Sequence, residues 1–247
     1  MQMRSSAYRV FACLAVMALA GLPMVAAADE WDSCIKLSDD LAVAGCSRAI
    51  DSHQYTGRSL ARLYARRGGA YQAHDDLDHA MADFNESMRI DPTYPAAYNN
   101  RGITWYRMGD LDRAIADYDQ AIRLDPKYEY AYVNRGSAWG TKGDLDRAIT
   151  DFDQAVRLDP QDAEAYYNRG SAWKDKDDLD RAIADFDQAI RLDPRDAKAY
   201  YNRGVAREEK HRLKEALADF RMHSQLVPSD PDGREAVERV SKELSAR

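Results

Sequence analysis

The chain has 247 residues, 45% hydrophobic and 31% charged, which is enough apolar material for a substantial core. It contains only 13 glycines and 8 prolines, which excludes a collagen-like or low-complexity chain. Its formal charge of −7 repels phosphate backbones at long range and argues against a nucleic-acid partner.

Residues 1–28 have the layout of an export signal. Arg4 and Arg9, the only charges there, form a positive start, and Val10 to Ala20 is apolar. Gly21-Leu22-Pro23 then breaks the helix, and Ala26-Ala27-Ala28 supplies the small-x-small pattern of a cleavage site. Cleavage after Ala28 would leave a periplasmic or extracellular chain starting at Asp29, with no membrane span. The competing expectation is a retained anchor: residues 10–28 carry no charge, and about 20 apolar residues cross a bilayer.

Next come Cys34 and Cys46, a pair that in an exported chain invites a disulfide. Their spacing fits neither a CxxC redox pair nor a zinc knuckle, and no histidine lies close enough in sequence to be a catalytic partner. A bridge between neighbouring helices is the expected state, with two reduced core cysteines as the alternative. Ala42, Cys46 and Ala49 have the spacing of one helix face, and Trp31 to Leu37 can supply a short preceding helix.

From residue 61 the chain repeats. Pro92, Pro126, Pro160, Pro194 and Pro228 stand 34 residues apart, and a fixed period of that length marks a stacked array. The columns Tyr64, Tyr98, Tyr132, Tyr166, Tyr200 and Gly68, Gly102, Gly136, Gly170, Gly204 follow the same interval. So do Tyr71, Trp105, Trp139, Trp173 (then Arg207), the alanines Ala80, Ala114, Ala148, Ala182, Ala216, and the aromatics Phe84, Tyr118, Phe152, Phe186, Phe220. Spacings of i, i+4, i+7 place Tyr98, Gly102 and Trp105 on one face of a first helix, and Ala114, Tyr118 and Ala121 on one face of a second. Gly109-Asp110 and Gly143-Asp144 punctuate the pairs, with Asp110 and Asp144 positioned to cap the second helix. One pair cannot hide its aromatic face alone, so pairs must stack.

These residues resemble the tetratricopeptide repeat family, whose signature is aromatic-x2-L-G-x2-aromatic, A-x3-F and a proline at a 34-residue period. The resemblance implies an all-α, right-handed superhelical solenoid of antiparallel helix pairs. It divides the chain into a degenerate unit at 29–60, repeats at 61–94, 95–128, 129–162, 163–196 and 197–230, and a capping helix at 231–247. The sequence departs from the family in carrying Arg67, Arg101, Arg135, Arg169 and Arg203 where leucine is usual. In the last repeat Arg207 and His223 replace an aromatic and a small residue, as befits an end.

Each first helix carries a second stripe, offset from the core. It comprises Asn99, Ile103 and Tyr106, then Tyr130 and Val133, then Glu164, Tyr167 and Lys174, then Lys198, Tyr201 and Glu208. The resemblance implies that this stripe lines a concave surface and receives a protein or peptide partner. Its residues vary between copies while the core columns do not, as a tailored surface would; ordinary solvated surface is the alternative. Replacing Tyr130, Tyr167 and Tyr201 together is expected to weaken partner binding without unfolding. Asn100, Asn134, Asn168 and Asn202 match one asparagine of the family's two-carboxylate clamp, but the clamp's lysine and second asparagine are missing, so the column reads as structural.

The arginine column is matched by Asp83, Asp117, Asp151, Asp185 and Asp219, which suggests a within-unit pair at the surface. On that reading Arg135→Leu leaves folding intact. No metalloprotease, P-loop or nucleophile-elbow motif occurs, the five histidines are scattered, and Asp175 to Asp180 lacks the glycine and distal glutamate of a calcium loop. No enzyme activity, metal or cofactor is expected. The sequence reads as a non-catalytic interaction scaffold of the cell envelope, with a membrane-tethered assembly factor as the alternative.

Overall fold

The structure, a computed structural model, describes Trp31, Asp32, Cys34 and residues 39–246; the expected export signal lies outside the described residues. Twelve helices follow in order among the described residues from Asp39 on: α1 (Asp39–Asp51), α2 (Gly57–Ala73), α3 (Leu77–Ile90), α4 (Pro95–Arg107), α5 (Leu111–Leu124) and α6 (Glu129–Thr141), then α7 (Leu145–Leu158), α8 (Ala163–Asp175), α9 (Leu179–Leu192), α10 (Ala197–Glu209), α11 (Leu213–Leu226) and α12 (Pro231–Ser245). Three-residue turns such as Met108-Gly109-Asp110 force antiparallel pairing within a unit. Each turn needs one left-handed residue. Gly109 and Gly143 supply it at φ +82° and +83°, whereas Asp75, Asp177 and His211 adopt it at φ +63°, +63° and +57°. As expected, Asp110 and Asp144 cap α5 and α7, accepting from the N–H groups of Arg113 and Arg147 at 3.0 and 3.1 Å.

Within a unit the aromatic of the second helix lies flat on the first helix's backbone. A Cβ at Gly102 would sit 2.6 Å from Tyr118 Cε1, so only glycine permits this approach. Beside it Ala97, Ala114 and Ala121 are fully buried, and small residues there bring the helix axes together. Successive first helices pack on one another, α2 on α4, α4 on α6, α6 on α8 and α8 on α10, whereas successive second helices do not. The first helices therefore form the inner, concave wall of the solenoid.

The charged columns are more deeply set than the sequence suggested. Arg135 grips Asp151 with two bonds, Nε to Oδ2 at 2.8 Å and Nη2 to Oδ1 at 2.6 Å, and Asp151 is only 4% exposed. Its third donor, Nη1, reaches Asp119 on α5 of the preceding unit at 2.5 Å. The same fork recurs at Arg67, Arg101, Arg169 and Arg203, whose Nη1 atoms reach Ser47, Asn85, Asp153 and Asp187. Each arginine thus ties three helices and two units together, which corrects the reading of a surface pair. Burial lifts the Asp151 carboxyl, and the Arg135 bonds offset this only in part. Burial likewise opposes the charge on Arg135, but its bonds to Asp151 and Asp119 prevail and raise its pKa. These directions conflict for the pair; the ionised form is the one the geometry fits, because a protonated Asp151 could not accept both N–H bonds.

Both ends of the array are closed. Cys34 and Cys46 form a disulfide with 4.4 Å between their Cα atoms, and both side chains are buried beside Ala42, Ala49 and Leu63. Ser47 lies 20 residues before its arginine rather than 16, so the four extra residues around Ser52 to Thr56 loop out without breaking the stack. At the other end α12 starts at Asp230-Pro231 and buries Ala236 and Val240 against Phe220. His223 is buried there: Nδ1 lies 3.0 Å from the Ala197 carbonyl oxygen and Nε2 2.8 Å from Asp230 Oδ2. Gly233 faces the ring, where a Cβ would overlap His223 Cδ2.

Candidate protein-binding face

The concave wall is built from α2, α4, α6, α8 and α10, and the stripe residues fall on the last four of these in two groups. Tyr130, 64% exposed, Glu164 and Lys198 stand at the starts of α6, α8 and α10 and project into solvent. The others are engaged in the scaffold to differing degrees. Asn99 and Val133 are buried, so neither is open to a partner. Ile103 is half-buried against the cluster around Tyr118, and the Tyr106 hydroxyl meets Thr141 Oγ1 at 2.8 Å. Tyr167 rests on Phe186 at 5.9 Å between ring centroids, and its hydroxyl accepts from Asn202 Nδ2 at 2.9 Å. Burial raises its pKa. Tyr201 packs on Phe220 and His223, Glu208 pairs with Arg239, and Lys174 Nζ lies 3.4 Å from Asn202 Oδ1. Replacing Tyr167 or Tyr201 would therefore disturb packing, and the exposed trio is the cleaner set to vary.

Two features of this wall were not anticipated. The first is an open depression of about 370 Å³ between the ends of α6 and α8, lined by Leu145, Phe152 and Ala172 together with polar side chains that include Ser137, Asn168 and Asp175. The signal was present: position 140 is glycine, where the other copies carry Gln72, Tyr106, Lys174 and Glu208. The second is a pair of carboxyls at the opposite end of the same helices. Glu129 of α6 has Oε1 buried without a hydrogen bond, and its carboxyl is pushed up to about 7, first by burial and then by hydrogen bonding to Asp162. Asp162 also caps α8, accepting from the Glu164 and Ala165 N–H groups.

The asparagine column is structural in alternate units. Asn134 Nδ2 donates to Asn99 Oδ1 and Asn202 Nδ2 to Tyr167 Oη, both at 2.9 Å and both back to the preceding unit. Asn168 would meet Val133 in that register and makes no side-chain hydrogen bond among the described residues. No group of three or more His, Cys, Asp or Glu side chains able to hold a metal ion occurs among the described residues, and none of their helices is long and apolar enough to cross a membrane.

Stacked antiparallel pairs with a 34-residue register and a free inner wall define a helical repeat scaffold. Tetratricopeptide repeat models match residues 61–94 and 95–128, and a TPR repeat model matches 141–177 and 172–211. The chain belongs to the tetratricopeptide repeat family, whose members act as protein-interaction scaffolds and are typically non-catalytic. Among solved structures, MamA is 26% identical with a TM-score of 0.59, the match covering 64% of this chain and 93% of that one. YrrB, described as a TPR protein with an unusual peptide-binding site, is 21% identical with a TM-score of 0.60 over 80% of this chain and all of its own. PilF of Pseudomonas aeruginosa is 15% identical with a TM-score of 0.69, covering 81% and 86%. The last two likenesses concern the fold alone. No curated protein matches the sequence.

Proposed function

We propose that the protein is an exported, non-catalytic scaffold of the cell envelope that holds an extended segment of another protein along its concave wall. The observation that carries this reading is the contrast between columns. Residues facing the core repeat from copy to copy, whereas Tyr130, Glu164 and Lys198, exposed at equivalent or adjacent places, differ in size and charge. Tyr130 meets Tyr128 edge-on at 5.8 Å and stays 64% exposed on the inner wall, and tyrosine is efficient at interfaces. The rigid array confines the ordering cost of binding to the partner. YrrB, whose fold is similar, is described as having a peptide-binding site, which adds a precedent within this architecture.

The test is crosslinking capture from the envelope fraction with the native protein and with a Tyr130→Ala, Glu164→Lys, Lys198→Glu variant. A partner retained by the native chain and lost from the folded variant supports the reading; equal capture by both removes it. N-terminal sequencing of the exported protein addresses location. A chain starting at Asp29 fits a soluble exported scaffold, and a chain retaining the uncharged stretch at 10–28 fits a tethered assembly factor.

A further inference from the structure

The depression between α6 and α8 arises from two departures from the repeat pattern, and packing accounts for neither. Gly140 lies inside a helix with ordinary φ, and a Cβ there would meet nothing closer than Ala148 Cβ at 3.9 Å. The contrast with Gly136 one turn earlier is sharp: there a Cβ would fall 2.8 Å from Phe152 Cε1. Gly140 stands in the last turn of α6, where glycine gives up some helix propensity relative to alanine, and no close contact requires it there. What it does is leave Leu145, half-buried, reachable from the concave side, while Phe152 stays in the core at 3% exposed. The second departure is Val133, which takes the place of the Asn99 and Tyr167 that receive Asn134 and Asn202, and so leaves Asn168 at the edge of the depression with its amide unengaged.

The charge at the edge is one-sided. Asp175 is exposed, ends α8 and forms no ion pair among the described residues. The flanking lysines are turned to other groups, Lys174 to Asn202 and Lys176 to Asp146. With a net charge of −7 the molecule as a whole also favours a cationic visitor.

We infer that this depression is an anchor pocket for one apolar side chain of an extended protein segment, and that the residue beside the anchor is basic. The apolar side chain occupies the space Gly140 leaves and covers Leu145. Asn168, with both a donor and an acceptor to offer, pairs with the segment's backbone, and Asp175 takes the adjacent cation. The inference rests on the concave-wall reading above and adds to it a place and a chemistry.

Fluorescence anisotropy with three labelled heptapeptides tests it: Gly-Ser-Lys-Leu-Lys-Ser-Gly, its counterpart with both lysines replaced by glutamate, and its counterpart with the leucine replaced by serine. The lysine-leucine peptide is expected to bind the purified protein with a Kd below about 1 mM and about tenfold tighter than either control. Gly140→Leu, which fills the space with a good helix former, and Asp175→Lys should each weaken it at least about fivefold. Should Gly140→Leu fail to fold, Gly140→Ala and Asn168→Ala carry the same prediction with a smaller change. Absence of binding, equal affinity for the controls, or full affinity in the folded pocket variants overturns the proposal. Tyr130→Ala with Lys198→Glu, at the opposite end of the first helices, separates the two readings. Binding that responds to this variant but not to the pocket variants leaves the concave wall standing and removes the pocket; binding that responds to neither removes both.

Discussion

At the scale of single residues the arginine fork has the largest consequence for stability. Removing Arg135 alone would strand Asp151, 4% exposed, with both oxygens unmatched. A buried ion left without its partner costs about 3–5 kcal/mol, and the partly exposed setting of Arg135 brings the expectation to about 2–3 kcal/mol for Arg135→Leu, read by urea unfolding at pH 7. Removing both charges, Arg135→Leu with Asp151→Leu, should recover most of that loss, because the penalty lies in the orphaned charge. A single variant as stable as the native chain would return the pair to the surface. The columns of opposite charge were legible in the sequence because both share the 34-residue period, but their depth was not. Depth depends on the third contact, Nη1 to the preceding unit, and that column reads Ser47, Asn85, Asp119, Asp153, Asp187. Its mixed chemistry hides a shared role. The left-handed turn position is similarly veiled. His211 occupies at φ +57° the place that Gly109 and Gly143 fill, and His211→Gly should add about 1 kcal/mol, seen as a higher urea midpoint with unchanged slope.

At the scale of helices the units differ in how they close. Trp105, Trp139 and Trp173 lie beneath Arg113, Arg147 and Arg181 at 4.6, 4.3 and 4.2 Å from ring centroid to guanidinium carbon. In the first repeat the couple becomes Tyr71 stacked on His79; in the last, Arg207 turns instead to the buried Asp219, donating from Nη1 at 2.7 Å, and Glu215 pairs with Arg212. Arg207, which looked like a lost aromatic, is thus a second arginine on the aspartate that Arg203 already grips. His223 is tied to α12: the ring needs Gly233 opposite. Gly233→Ala alone should destabilise the C-terminal helix, and in a His223→Ala background the same change should cost much less, with only Ser224 Oγ left close by; a double-mutant cycle with additive terms would show that the two do not share space. The α6–α8 contact also carries a pH dependence. Glu129 titrates near 7 in the folded chain against about 4.5 unfolded, so the folded state holds the proton more tightly. Stability from this group is complete below about pH 4.5 and is lost as pH rises through 7. Glu129→Gln should flatten that window and raise the melting temperature at pH 8 by about 2–4 °C, corresponding to about 1 kcal/mol after allowance for solvent screening at a half-buried site.

At the scale of the whole molecule, the repeat period made the architecture readable, since a single number, 34, fixes the pairing, the stacking and the order of the helices. What the period could not convey was which stripe residues stay free: Asn99 and Val133 lie on the same stripe as exposed Tyr130 yet are buried against the next unit's first helix. Nearest-neighbour stacking also decides how damage spreads. Each unit touches only those beside it, so stability is close to a sum of local terms and an end can fray while the middle holds. The Cys34–Cys46 bridge closes a short loop, which in the unfolded chain removes about 2–3 kcal/mol of entropy at 25 °C. Cys34→Ser with Cys46→Ser should therefore loosen α1 and its contact with α2 while leaving α5 to α9 untouched. Amide hydrogen exchange would read this as protection lost about 30- to 160-fold in α1, with rates in the central helices unchanged. Equal acceleration in every helix would mean that the array opens as one cooperative body, and the unit-by-unit account of its stability would have to be given up.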